Sequence, residues 1–562
     1  MIGTSSHAPW ALLARHFFQA FFRLSFLDDA GEESFKRAIS GILAAIVAFG
    51  FLLARVYFAK YWALAGQPTP DLYRLMLPAD QLLMICLQMF AVAFVMALVS
   101  HSLFPDDIDF RILMALPVSR LSVFGAKLAA LVLFAGIFVL GAALGLGLPF
   151  SVASSGQWAG RSLAVRAVAQ IATGTFASVF VVACIIAFQG LIVLFTPRAW
   201  LRRASIVTQT ALICALVLSI PIVLRVPTLG PYLQSQPAWL YAVPPAWFLG
   251  VQQWLLGSRN PYFTGLGVAA IIGTMAVTSI GGGCYLVLYR RFDQVVLRTE
   301  STNAPWAWNV RLSSPLRKHP AYHAVQAFVS ATLRRSGLHQ LVFAGLFVAG
   351  FAVALNRLLG SVGLSERWLI LAASSAPLTL MVATVVGLRA ALTLPANLRA
   401  AWIFQFTEDR ASRHHQLNAI RHIVIGIGVI VPALLAFPVL AGVLGGRTAL
   451  ACFPIVILLG CILVEIAFGH CRRIPFTCTV LFGKRPVAYT LGLAFVAFNV
   501  FVGLGTACLQ VASGGRTPWL VVLTILLMVA GALRWVRLQT WGRLPLEFED
   551  YLPDAPSTLG LR

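Results

Sequence analysis

Long apolar runs alternate with short polar ones along almost the whole chain. A helix needs about 20 predominantly apolar residues to cross a bilayer. Runs of that kind lie near 38–58, 80–103, 122–148, 167–195, 205–225, 263–289, 340–358, 368–393, 419–444, 449–469, 487–509 and 517–535. The pattern predicts an all-α integral membrane protein with about 12 transmembrane helices. The fourth run is longer than a bilayer requires, which fits a tilted helix or one that extends into water.

A different period precedes the first run. Trp10, Leu13, Phe17, Phe21 and Leu24 recur at helical spacing, with Arg15, Gln19 and Arg23 between them. Such a helix lies in the membrane interface rather than across it. A weaker version, Tyr322, Val325, Phe328 or Val329, Thr332 and Leu333, followed by Arg334-Arg335, precedes the seventh run. These are read as two amphipathic elbow helices.

Composition agrees with this reading. Hydrophobic residues make up 59% of the 562 and charged residues 11%, against about 25% charge in an ordinary soluble domain. A soluble fold, a disordered chain and a secreted disulfide scaffold are excluded. The nine cysteines sit mostly inside apolar runs and read as small buried hydrophobes. The first residues carry charges and no continuous apolar core, so they do not read as a signal peptide.

The net charge of +23 changes the picture by where it falls. With the N-terminus inside, the alternate segments on the inner side hold 31 of the 42 Lys and Arg residues and those on the outer side 11. Positive charge collects on the cytoplasmic side, so both ends of the chain are expected inside. No basic run exceeds two residues, and nothing suggests nucleic acid.

The runs fall into two sets of six around the polar stretch 290–339. This predicts a first six-span unit at 1–290, a linker with the second elbow helix at 291–339, a second six-span unit at 340–536 and a tail at 537–562. The second span ends in Leu103-Phe104-Pro105 and the eighth in Thr393-Leu394-Pro395, and each leads into a charged amphipathic loop. An internal repeat of a six-span unit is expected from this correspondence, its axis along the membrane normal.

Candidate chemistry is sparse. Nucleotide-binding, nucleophile-elbow and metal-ligand motifs are absent from the sequence. By the spans above, only Glu465 lies well inside the membrane. A carboxylate there is costly and reads as functional by default. The competing reading is that it sits near the cytoplasmic end, snorkels, or pairs with Arg472 or Arg473. Asp80 is expected to open the second span, where a helix N-terminus favours a carboxylate. Between spans five and six, Val226 to Pro261 carries Trp239, Tyr241, Trp247, Phe248 and Trp254 among six prolines, including Pro244 and Pro245. This segment is expected to form short helices in, or dipping into, the outer leaflet.

The stretch SLFPDDIDFRILMALPVSRLSVFGAKLAALVL, Ser102 to Leu133, resembles the permease subunits of ATP-binding-cassette exporters of the ABC-2 type. In that family acidic residues after the second span are followed by an apolar turn and a basic residue. Here these are Asp106, Asp107 and Asp109, then Leu113 to Arg120, then Lys127. The amphipathic elbow, the six spans and the aromatic segment at Pro244-Pro245-Ala246-Trp247-Phe248 match as well. The second half departs from the pattern. It has Phe406-Thr407-Glu408-Asp409-Arg410 in place of the Leu-Pro-Val-Ser-Arg turn, and Gln510 to Thr517 is too short for a re-entrant segment.

The resemblance implies a transporter subunit in a bacterial inner membrane, with no catalytic site or metal of its own. ATP and Mg would be bound by separate cytoplasmic ATPase subunits. Contact with them would fall on Asp106, Asp107, Asp109, Arg111 and Arg120, and in the second half on Arg399, Glu408, Asp409, Arg410 and Arg413. A solvated loop that only fixes topology is the alternative for those residues. Membrane lipids are the other partners, and a homodimer stays open. Two other functions compete. One is a 12-span secondary transporter of the major-facilitator kind, although the loop after span two has no glycine before Gly125. The other is a membrane enzyme acting on lipid-linked substrates, which the few outer acidic residues disfavour.

Overall fold

The structure is a computed structural model that describes residues 8–20, 32–100, 103, 119–196, 198–296, 320–363, 365–394, 413–469, 475–476 and 487–541. The described residues are helical nearly throughout and contain no strand. Among the described residues, twelve helices are long and apolar enough to cross a membrane. The protein is therefore an all-α integral membrane protein. The chain divides into two compact units, Met1–Trp306 and Ala307–Arg562.

Unit 1 opens with α1 (Ala8–Ala20), followed by α2 (Glu32–Ala65), α3 (Asp71–Leu98), α4 (Arg120–Ala153), α5 (Leu163–Phe195) and α6 (Arg198–Val223). A short helical passage, Val226–Leu229, the five-residue α7 (Gly230–Gln234) and Ala238–Ala242, leads to α8 (Pro244–Leu255). The last helix is α9 (Pro261–Val296). Enclosure separates the helices clearly. Some 72% of the apolar window of α3 is buried, against 11% for α2. The helix α3 is thus the axis of the unit, with α5 and α4 against it, and α2 lies outside on α4. The apolar side chains on α2 that stay exposed, such as Phe51, Leu52 and Val56, are the ones a lipid-facing helix shows.

Unit 2 runs through α10 (Pro320–Arg335), α11 (Gly337–Ser361), α12 (Glu366–Thr393), α13 (Arg413–Ile425), α14 (Val431–Leu444), α15 (Gly446–Phe468), α16 (Val487–Ser513) and α17 (Arg516–Trp541). Here α12 is the axis, with the same 72% enclosure as α3. A π-helical turn, Gly426–Ile430, joins α13 to α14 in one continuous span. Pro432 follows it and has no N–H to return to the carbonyl of Gly428, and the wider turn absorbs the fault.

The two units share one construction and differ in another. The amphipathic helix before the first span packs on the start of the third span in both: α1 on α4, and α10 on α13. Phe17 of α1 is fully buried, with the Lys127 ammonium 4.9 Å above its ring. Val329 of α10 is likewise fully buried, and Tyr322 lies beside His422. The first span, however, packs on the third in unit 1 (α2 on α4) and on the second in unit 2 (α11 on α12). Apolar side chains gain little from leaving lipid for another helix, so close backbone approach decides these contacts.

Candidate functional site

The segment between the fifth and sixth spans is built into unit 1. Pro244 and Pro245 occupy the first turn of α8, where the missing N–H groups cost nothing. The helix then runs back along α9 and α5. Trp247 meets Gly273 of α9 and lies 6.0 Å, ring to ring, from Phe180 of α5. Phe248 is fully buried, 5.3 Å from Phe176 and 5.5 Å from Phe180. Further along α8, Gly250 faces Gly267; a Cβ there would sit 2.5 Å from backbone atoms of α9. Only glycine lets the two helices approach so closely. At the end of the helix, the Leu256 carbonyl accepts from Arg161 Nε at 3.1 Å, in the turn before α5. So α8 starts about 18 Å along α9 and climbs back to its first residue. The expectation of short helices in this segment holds, and one of them dips well into the bundle.

Beside α8 the unit carries a column of polar side chains. On α5, Arg166, Gln170, Gly174 and Ser178 recur every fourth residue and so share one face. Arg166 donates from Nη1 to the Ser154 carbonyl at 2.7 Å and from Nη2 to the Ser151 carbonyl at 2.8 Å. It thereby covers the free carbonyls at the end of α4, where positive charge is favoured. Tyr73 adds a third donor to that end, from its hydroxyl to the Ser154 carbonyl at 2.5 Å. Deeper, Gln252 Nε2 of α8 donates to Gln170 Oε1 at 2.5 Å, and Gln253 Nε2 donates to Gln81 Oε1 of α3 at 2.7 Å. Below them Gln88 of α3, fully buried, lies against Gly174 and Gly147. A Cβ on Gly174 would overlap the Gln88 carboxamide.

A charged group stands at the same end of unit 1. Asp80 is fully buried in α3; its Oδ2 accepts from Lys60 Nζ at 2.6 Å and from the Tyr61 hydroxyl at 2.7 Å, both on α2. The Lys60 ammonium also stands 5.5 Å from the Tyr57 ring and 5.8 Å from the Tyr61 ring. This corrects the placement of Asp80 at the head of the second span. The helix α3 begins at Asp71, so Asp80 is nine residues in, about 14 Å along it. Pro78 and Arg74 mask this in the sequence, because together they look like the flank of a span. Asp80 joins Glu465 as a carboxylate inside a membrane helix.

In unit 2, Glu465 of α15 sits between two arginines. Arg421 Nη2 of α13 lies 2.7 Å from Glu465 Oε1, and Arg537 Nε of α17 lies 2.8 Å from Oε2. The side chains of Glu465 and Arg537 are 4% exposed. Leu417, Ile420, Val464 and Phe468 complete a small pocket around the three charges. The pairing is with arginines on neighbouring helices; Arg472 and Arg473 lie outside the described residues. Glu465 is three residues from the end of α15 and Arg537 four from the end of α17, so the triad is near one end of the bundle.

The remaining sequence candidates are placed as follows. Arg120 is the first residue of α4, behind Ser119, whose Oγ accepts from the Ser122 N–H at 3.1 Å. Arg413 is the first residue of α13 and is buried. Asp106, Asp107, Asp109, Arg111, Arg399, Glu408, Asp409 and Arg410 lie outside the described residues. Sequence reading missed the amides Gln88, Gln170 and Gln252, whose signal was their spacing within otherwise apolar runs. It also missed Arg421 and Arg537 as the partners of Glu465, since nothing local links three helices so far apart in sequence. No protein-family model, curated protein or solved structure matches this chain.

Proposed function

We propose that the chain is the transmembrane permease subunit of an ATP-driven exporter of the ABC-2 type, powered by separate cytoplasmic ATPase subunits. The observation that supports this best is α8, a helix after the fifth span that folds back into its own unit, as the aromatic segment of that family does. The elbow helices α1 and α10, each packed on the third span of its unit, agree with it. In this reading the units descend from one duplicated six-span ancestor, and unit 2 has lost the re-entrant segment. Lys and Arg distribution puts both chain ends and the loops after spans two and eight inside. The turns that join α2 to α3 and α4 to α5, and α8 with them, then face outward. ATP-driven movement enters through Asp106, Asp107, Asp109, Arg111 and Arg120 and their counterparts Arg399, Glu408, Asp409, Arg410 and Arg413.

The test is purification of the tagged protein in mild detergent with ATPase activity assayed on the eluate. The variant Asp106→Ala/Asp107→Ala/Asp109→Ala/Arg111→Ala is assayed beside it. A co-purifying ATPase that the variant loses carries the proposal. A single band without ATPase sinks it and turns attention to secondary transport. That second reading draws on Asp80, which with Glu465 makes two buried carboxylates inside membrane helices. Proton-driven carriers use such groups.

A further inference from the structure

The polar column of unit 1 has more hydrogen-bonding capacity than its protein partners use. Among the described residues, no partner reaches either polar atom of the Gln88 carboxamide, Gln170 Nε2, Gln252 Oε1, Thr173 Oγ1 or Ser178 Oγ. All five residues are at most 1% exposed. A single buried amide without a partner costs enough that most proteins avoid one. Here six such atoms follow one another down the facing sides of α3, α5 and α8. Gln252 and Gln170 sit about 10 Å along α5 from its first residue, and Ser178 about 22 Å.

Two features show that the column is a built site. Glycine is placed where the amides need space: Gly174 and Gly147 lie directly against Gln88, and any side chain at Gly174 would take its position. The charges nearby are engaged in part, Arg166 by the carbonyls that end α4 and Asp80 by Lys60 and Tyr61, while Arg166 Nε and Asp80 Oδ1 have no hydrogen-bond partner among the described residues. The neutral donors and acceptors come as both kinds.

We propose that this column is a hydrated pocket inside unit 1 that takes hydrogen-bonding groups. Water fills it at rest, entering from the end that carries the α4–α5 turn, and Gln88, Thr173 and Ser178 form its floor. A bound neutral amide or alcohol replaces those waters bond for bond. The inference rests on the side-chain geometry alone and holds whatever drives the protein.

Two experiments test it. The first uses the unaltered protein in nanodiscs and brief hydroxyl-radical labelling read by mass spectrometry. Met84 lies on α3 between Gln81 and Gln88 and is 1% exposed; Met381 on α12 is fully buried among apolar side chains. Thioether oxidation depends on nearby water, so Met84 is expected to oxidise about tenfold faster than Met381. Equal, slow rates would mean a dry column and overturn the proposal.

The second experiment places cysteine at Ser178, with Val179→Cys, on the 45% exposed outer side of α5, as the control. A small neutral methanethiosulfonate is applied and its product read peptide by peptide, so that native cysteines do not interfere. Ser178→Cys is expected to react about tenfold faster than Val179→Cys, because thiolate forms only where water reaches. If Ser178→Cys is as inert as the control, the column is dry and the proposal falls.

Discussion

Unit 1 carries, besides the Asp80–Lys60 pair and Arg166, a column of neutral amides and hydroxyls deep in the bundle, and unit 2 gathers three charges near one end. The difference follows from what a membrane tolerates at each depth. A carboxamide can be satisfied by another carboxamide or by water. A buried guanidinium needs strong acceptors, carbonyls for Arg166 and a carboxylate for Arg421 and Arg537, and the cost of keeping such charges falls as the helix ends approach water. The two solutions also bind different things together. The amides join α3, α5 and α8 without fixing any of them by charge. The triad ties α13, α15 and α17 through a single residue, Glu465.

That comparison can be broken most severely at Glu465. Glu465→Ala leaves Arg421 and Arg537 facing each other in a buried pocket and is expected to cost about 3–5 kcal/mol of stability. Thermal or denaturant unfolding of the purified protein reads this directly. The triple change Arg421→Met/Glu465→Leu/Arg537→Met removes all three charges and is expected to unfold near the wild-type midpoint. If the triple variant is as unstable as Glu465→Ala, packing rather than unpaired charge explains the loss.

The next effect belongs to the aromatic anchor of α8. Phe248→Ala opens a cavity between Phe176 and Phe180 and is expected to cost about 3 kcal/mol, within the range for buried phenylalanines. Proteolysis at 256–260, the turn after α8, checks whether the helix has come away from α9. A smaller cost is expected at the amides. Gly174→Ala forces Gln88 to move, for about 1–3 kcal/mol of overpacking. Combining it with Gln88→Ala is expected to recover most of that loss, which places the clash on the carboxamide. The smallest effect is at the charged group of unit 1. Tyr61→Phe removes one donor to Asp80 while Lys60 remains, for about 1 kcal/mol. A larger loss would mean that the hydroxyl, rather than the ammonium, holds α2 against α3.

The spans were legible because their signal is length and apolarity, which each run carries by itself. The elbow helices were legible for a similar reason, since Phe17 and Val329 both fall on predicted apolar faces and both prove buried. Local prolines and aromatic residues likewise announced the short helices of the 226–255 segment. The sites were harder to see. Asp80 was misplaced because Arg74 and Pro78 lower the apparent hydropathy of the first turns of α3. The triad could not be read, because Arg421 and Arg537 lie 44 and 72 residues from Glu465 and meet it only through packing. The amide column shows a general blind spot. Glutamine is scored as polar wherever it stands, and only the fold distinguishes a lipid-facing one from Gln88, packed against two glycines.

The dimensions of α8 also bear on how the protein is made. Its 12 residues reach about 18 Å, well short of the roughly 30 Å hydrocarbon core. It cannot enter the bilayer as a span in its own right. Its seat is lined by α5, already inserted, and by α9, which leaves the ribosome after it. The helix therefore waits at the surface until α9 is threaded and then docks through Gly250 and Phe248. Biogenesis of unit 1 thus ends with a folding step after insertion, and unit 2 has no such step because α16 and α17 are joined by a tight turn.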